Sequence, residues 1–303
     1  MRILVDIRHL ASPNMAGVGG YTKSLLHALF EIDKENEYVL LTSGSRKPNL
    51  EIHDLSGETE RRLKPAATSY QHIHIPIPNK ILNLRTLLLR HPSLNWRVRE
   101  PVDMIFLPNL SIATLPTDIP TVLTVHDLSW KLYPDFYSHK MQLWHKATRP
   151  DELIAQSRSI ISPSQSTKHD LEHLFGAGEK TTVIPHGVSP IFSDKMLASD
   201  HGVRSRLKLP KRFALFVGTI EPRKNILALI EGVKEYRERS HDDLHLVIAG
   251  GWGWRSHSVR RRLWKHDTYG WVHQLGYVES RDLPAIYRSA SVTVFPSIYE
   301  GFG

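Results

Sequence analysis

Short runs of Val, Ile and Leu alternate along this chain with longer stretches whose apolar residues recur every three or four positions. A brief continuous apolar run suits a strand buried on both faces of a parallel sheet, and the three-to-four spacing suits a helix with one face on a core. In the first half, strands are predicted over Ile3–Ile7, Tyr38–Thr42, Met104–Leu107, Thr121–Val125, Ser159–Ser162 and Thr182–Ile184. Helices are predicted over Tyr21–Phe30, His139–Arg158 and Gln165–Phe175, the last with Ser164 as its N-cap and Gly176 as its stop. The alternation restarts after Pro185-His-Gly-Val-Ser-Pro190, with strands over Phe213–Val217, Leu244–Ala249, Val272–Leu275 and Ser291–Phe295. Its helices are Asn225–Arg239, Arg255–Lys265 and Asp282–Ala290. Strand–helix repetition on both sides of a linker at Pro185–Lys208 predicts an α/β protein of two Rossmann-like, doubly wound domains, residues 1–186 and 187–303. The second shows four strands where such a domain has about six, so it is expected to be incomplete at its C-terminus.

Asn79–Glu100 breaks this pattern. It interleaves Ile81, Leu82, Leu84, Leu87, Leu88, Leu89 and Trp96 with Arg85, Arg90, Arg97 and Arg99. Such a mixture suits an interfacial helix on anionic lipid, or a helix packed on its own sheet with its arginines outward.

Composition narrows the classes. A chain of 303 residues, 41% hydrophobic and 23% charged, is long enough for two cores and has the make-up of an ordinary globular protein. No stretch approaches the ~18 consecutive apolar residues of a membrane-spanning helix. Zero cysteines exclude disulfides and thiolate metal sites and fit a cytoplasmic protein. The net charge of +8 is compatible with nucleic acid, an anionic membrane surface, phosphorylated small molecules or a solvated basic surface.

The candidate chemistry lies at strand ends, where α/β sheets bind ligands. Phe216-Val-Gly-Thr-Ile-Glu-Pro-Arg-Lys-Asn225 runs from a strand through Gly218 to Arg223 and Lys224 at a predicted helix start. Cations there are unfavourable unless an anion joins them, and Arg and Lys together suit a diphosphate. His126-Asp127 directly follows the strand Thr121–Val125; Ser291–Phe295 leads through Pro296-Ser297 to Glu300-Gly-Phe-Gly303. Ala16-Gly-Val-Gly-Gly-Tyr-Thr22 lacks dinucleotide spacing and by itself reads as a flexible loop between strand and helix. Gly250-Gly-Trp-Gly-Trp-Arg255, before Arg260-Arg261-Arg262, has the basic and aromatic content of a nucleic-acid site but is also a plain strand–helix turn. No Asp-x-Asp and no zinc spacing among the 18 histidines occurs.

The segments VGTIEPRKN and FPSIYEGFG, about 70 residues apart, together with Ile161–Ser164, Val183–Val188 and Gly276–Val278, resemble the GT-B glycosyltransferases of family 4 (glycosyltransferase group 1) over the whole chain. Within that family the wording is most similar to mannosyl- and rhamnosyltransferases. The resemblance implies two domains with the active site in the cleft between them, and a retaining transfer of a hexose, mannose foremost, from a nucleotide sugar such as GDP-mannose. The implied acceptor is a lipid-linked glycan or growing polysaccharide at the inner face of the membrane, where the protein is peripheral. It implies donor contacts from Gly17, Gly19, Gly218, Tyr277 and Val278, phosphate contacts from Arg223 and Lys224, an orienting hydrogen bond from His126, and a sugar contact from Glu300. No cofactor, metal or nucleic acid is implied. The family's second glutamate, seven residues after the first, falls beyond Gly303, so a poor transferase is expected of this chain; the alternative is a non-catalytic fragment that keeps acceptor or membrane binding.

Overall fold

The computed structural model describes residues 1–11, 17–48, 70–265 and 268–303. Seven parallel strands form the first sheet: β1 (Arg2–Asp6), β2 (Glu37–Ser43), β3 (Tyr70–Ile75), β4 (Met104–Leu107), β5 (Thr121–Thr124), β6 (Ser159–Ser162) and β7 (Thr181–Val183), in the order β3-β2-β1-β4-β5-β6-β7. Four more, β8 (Phe213–Val217), β9 (His245–Ala249), β10 (Val272–Gly276) and β11 (Val292–Thr293), form a second parallel sheet in the order β10-β9-β8-β11. Both orders run backward from a first strand and then jump across it. The switch points therefore lie between β1 and β4 and between β8 and β11, where ligands of doubly wound sheets sit.

Among the described residues ten α-helices accompany the strands: α1 (Gly17–Ile32), α2 (Asn79–Leu89), α3 (Ser129–Leu132), α4 (His139–Ala147), α5 (Pro150–Gln156), α6 (Gln165–Phe175), α7 (Ala198–Arg206), α8 (Ile226–Ser240), α9 (His257–Leu263) and α10 (Leu283–Ser289). Successive strand residues feed opposite faces, as the pleat requires. Leu4 joins Leu153 and Leu171 on one face of the first sheet, while Ile3 and Val5 join Leu26 and Phe30 on the other. The second sheet is likewise covered on both faces, by Ile226, Leu229 and Ile230 on one and Ile286 on the other.

Three sequence expectations are corrected. The predicted helix over His139–Arg158 is two helices, because Pro150 cannot continue α4 and Arg149 before it turns left-handed with φ 47°. The segment Asn79–Glu100 is helical only to Leu89: Arg90 caps it at φ 50°, and Leu94 and Trp96 then pack into the core. The linker Pro185–Lys208 contains α7, docked on α10 by Asp200 and Arg288, whose carboxylate and guanidinium meet at 2.7 Å with both side chains buried. In addition β3, at the sheet edge beside β2, had no sequence expectation; its His72 and His74 alternate with apolar residues, and His72 Nε2 and His74 Nδ1 both reach Thr42 Oγ1.

Candidate active site between the two sheets

Arg223 and Lys224 follow β8, and Glu300 follows β11, so the chain delivers all three to the switch point of the second sheet. The path from β8 needs glycine twice. Gly218 adopts φ 152°, and a side chain on Gly250 would place its Cβ 1.8 Å from the Gly218 carbonyl oxygen. The cations stand not in α8 but one turn ahead of it, in a 3-10 turn over Pro222–Lys224, with Asn225 at φ 52° between turn and helix.

The anion that two such cations demand is supplied by the protein. Arg223 Nη1 donates to Glu300 Oε2 at 2.6 Å, and Lys224 Nζ donates to Glu300 Oε1. Arg223 also pairs with the buried Glu221 at 2.8 Å. Burial opposes the charge of Arg223, but Glu221, Glu300 and Asp127 outweigh it and raise its pKa. Burial pushes Glu300 upward, and its contacts with Lys224 and Arg223 reverse the sign, leaving a carboxyl below its ordinary value. Burial prevails at Glu221, which is raised despite Arg223 and Lys224. Two cations and two carboxylates thus meet directly, with the Asp127 carboxylate acting on Arg223 from beside them.

The segment 298–302 straps the two sheets together. On one side Ile298 N donates to Arg223 O at 2.9 Å and Arg223 Nη1 donates to Tyr299 O at 3.0 Å. On the other, Tyr299 Oη donates to Asp170 at 2.6 Å, and the Gly301 carbonyl accepts from Ser164 and Thr167 at the start of α6. Ser164 also accepts from Thr167 N at 3.1 Å, the N-cap its sequence position predicts. Gly301 lies so close to the end of β5 that a Cβ there would sit 2.0 Å from His126 O.

His126 thus lies beside the strap. Burial lowers its pKa to about 4, with the neighbouring His186 adding to the shift, so the ring is neutral at pH 7. Its Nε2 is 2.9 Å from Pro108 O. A carbonyl can only accept, so Nε2 carries the proton and Nδ1 is the acceptor nitrogen. Tyr21, in the second turn of α1, packs edge-on against His126 at 4.8 Å and against His186 at 4.7 Å; Phe302 covers His186 at 4.9 Å. Gly17 and Gly19 occupy the first turn of that same helix, where amide N–H groups have no intrahelical partner.

Of the predicted donor residues, Gly218, Arg223, Lys224 and Glu300 converge, with His126 and the start of α1 across from them. Tyr277 is exposed and Val278 packs against the core around Ile286. Glu221, Tyr21, His186 and Tyr299 were not singled out in the sequence, although each lies inside a quoted motif. Trp254 and Arg255 bridge the sheets as well: Trp254 Nε1 donates to Phe136 O at 2.8 Å, and Arg255 reaches Asp135 O. Among the described residues no cluster of three metal-ligating side chains occurs, and no helix is long and apolar enough to cross a membrane.

Two doubly wound parallel units with facing carboxyl ends make up the GT-B fold. Anabaena HepE in complex with UDP and glucose shares it at a TM-score of 0.65 and 16% identity, over all of this chain and 76% of that one. WaaG, a glycosyltransferase involved in lipopolysaccharide biosynthesis, does so at 0.60 and 12%, over 99% of this chain and 76% of that one. The chain belongs to Glycosyltransferase Family 4, whose model matches residues 15–191; the model for glycosyl transferases group 1 matches residues 202–303. Its relatives include the O-antigen chain mannosyltransferase B of Escherichia coli, 25% identical over 100% of this chain and 78% of that enzyme. The serotype-specific mannosyltransferase WbdA of Escherichia coli is 24% identical over 100% of this chain and 38% of its own length.

Proposed function

We propose that this protein transfers mannose from a nucleotide sugar such as GDP-mannose to a lipid-linked or growing polysaccharide acceptor at the inner face of the membrane, with retention at the anomeric carbon and without a divalent metal. The observation that carries this reading is the convergence of Arg223 and Lys224 on Glu300 at the switch point of the second sheet. The kinship with O-antigen mannosyltransferases supports the sugar and the class of acceptor.

In this reading the donor diphosphate takes the place of the Glu300 carboxylate on Arg223 and Lys224, and Glu300 turns to the sugar. The bond between the anomeric carbon and the phosphate oxygen breaks, and the acceptor oxygen bonds to that carbon on the same face. The acceptor proton passes to the departing phosphate, and the nucleoside diphosphate leaves. Arg223 and Lys224 stabilise the charge that builds on that phosphate, the place where electrostatic catalysis contributes most. Neutral His126 presents Nδ1 as a hydrogen-bond acceptor for a sugar hydroxyl, and the first-turn amides of Gly17 and Gly19 complete the donor's surroundings. Tyr277 and Val278 follow β10 and are assigned to the base or ribose end of the donor.

Glu300→Gln separates the two tasks of that carboxylate. With its charge gone, GDP no longer competes with a carboxylate and should bind at least as tightly as to the unaltered protein, measured by calorimetry. Mannose transfer should fall by ~100-fold. Transfer at the full rate would overturn the assignment.

A further inference from the structure

The outer face of α2 is built the wrong way round for a helix that meets only water. Leu82 and Thr86 face the core at 3% exposure each, and Leu82 packs with Ile75 and Leu94. On the opposite side Ile81, Leu84 and Leu88, spaced i, i+3 and i+7, stand 60%, 56% and 73% exposed. Lys80 and Arg85 flank this stripe on its two sides, both exposed and with no ion-pair partner among the described residues. The helix contains no acidic residue.

The stripe is not the outcome of loose packing, because both ends of α2 are tied down. At its start Asn79 donates to Arg8 O at 3.2 Å and contacts Ser43 Oγ; near its end Arg149 donates to Thr86 O at 3.3 Å and Leu87 O at 3.2 Å. Arg8 and Ser43 stand at the carboxyl ends of β1 and β2. His126 leaves the same edge of the same sheet at β5, so α2 starts on the side of the molecule that carries the candidate site.

We propose that α2 is a docking surface for a bilayer containing anionic phospholipid. Eleven residues span about 16 Å, which fits a helix lying in the interface and not one crossing it. Ile81, Leu84 and Leu88 enter the acyl boundary while Lys80 and Arg85 lie at headgroup level, each drawn to anionic lipid. A second copy is the poorer occupant. Pairing of this face with itself would bring together two surfaces that carry Lys80 and Arg85 and no acidic residue to offset them. For its purpose, which is to bring the site to a lipid-linked acceptor, the surface rests on the function proposed above; its binding to lipid does not.

Co-sedimentation with vesicles tests this in the absence of donor and acceptor. The protein should partition at least ~10-fold more strongly onto phosphatidylcholine–phosphatidylglycerol vesicles than onto phosphatidylcholine alone, and high salt should erase the difference. The double variants Leu84→Glu/Leu88→Glu and Lys80→Glu/Arg85→Glu should each lose that partition by ~10-fold or more. All four positions are solvent-facing, so melting by circular dichroism and transfer to a water-soluble acceptor should stay unchanged. No sedimentation of the unaltered protein, or full sedimentation of both variants, would overturn the proposal. So would a dimer in analytical ultracentrifugation that Leu84→Glu/Leu88→Glu dissolves without lipid. Intact transfer in the variants with no vesicle binding by the unaltered protein would sink the surface and leave the catalytic reading standing.

Discussion

Glu300 neutralises two cations that the backbone has placed within one turn of each other, and Glu221 holds the nearer of them from behind. A basic pair at a strand end implies an anion, and in this chain the anion is a side chain 77 residues away from Arg223 along the sequence. That pairing was out of reach of sequence spacing alone, which sees Arg223 and Lys224 as adjacent but cannot show that β11 lies beside β8. His126 makes a separate, measurable statement. Its pKa of about 4 lies below the unfolded value near 6.5, so on acidification the unfolded chain takes up its proton first. The stability it contributes is complete above pH 6.5 and is lost as pH falls toward 4, at no more than about 1.4 kcal/mol per pH unit from this one residue. His72 and His145, also lowered to about 4 by burial, act in the same direction. The Hε1 resonance of His126 should titrate with a midpoint near 4, and the melting temperature should decline between pH 6.5 and 4. A midpoint above 6 would contradict the buried, neutral ring.

The elements divide by how local their determinants are. The strands of the first sheet, from β1 to β7, are legible as apolar runs, except β3, whose alternating His72 and His74 disguise an edge strand that forms beside β2. The N-cap at Ser164 and the stop at Gly176 are local chemistry and fall where the sequence puts them. The helix α7 was read as linker because seven of its nine residues, Ser199, Asp200, His201, Gly202, Arg204, Ser205 and Arg206, are polar or glycine; it forms through a distant partner, Arg288 on α10. Breaking a buried pair on one side leaves an uncompensated charge and costs about 3–5 kcal/mol. Asp200→Ala should therefore lower the denaturation midpoint by a corresponding amount, and Asp200→Ala combined with Arg288→Met should recover much of the loss. A single variant with unaltered stability would show that α7 is held by its apolar contacts alone.

At the scale of the whole molecule, parallel sheets of order β3-β2-β1-β4 and β10-β9-β8-β11 present matching switch points to one another, and a strap of five residues joins them. The class of fold and the strand ends that carry the candidate site were legible, because strand–helix alternation implies parallel sheets and parallel sheets bind at their carboxyl ends. The facing of the two units was not legible. It depends on Gly301 against His126, Tyr299 on Asp170 and Trp254 on Phe136, contacts between residues more than 100 positions apart. These contacts set His126 and the start of α1 opposite Glu300, so that one donor could touch both units.

The central claim is that Arg223 and Lys224 do the work of a metal on the donor diphosphate. Its most direct test is the initial rate of mannose transfer from GDP-mannose in excess EDTA, with and without Lys224→Ala. The unaltered enzyme should keep its rate in EDTA, and Lys224→Ala should lower it by ~100-fold or more. A rate that collapses in EDTA and returns with Mn²⁺ or Mg²⁺, or a Lys224→Ala enzyme as fast as the unaltered one, would contradict the claim.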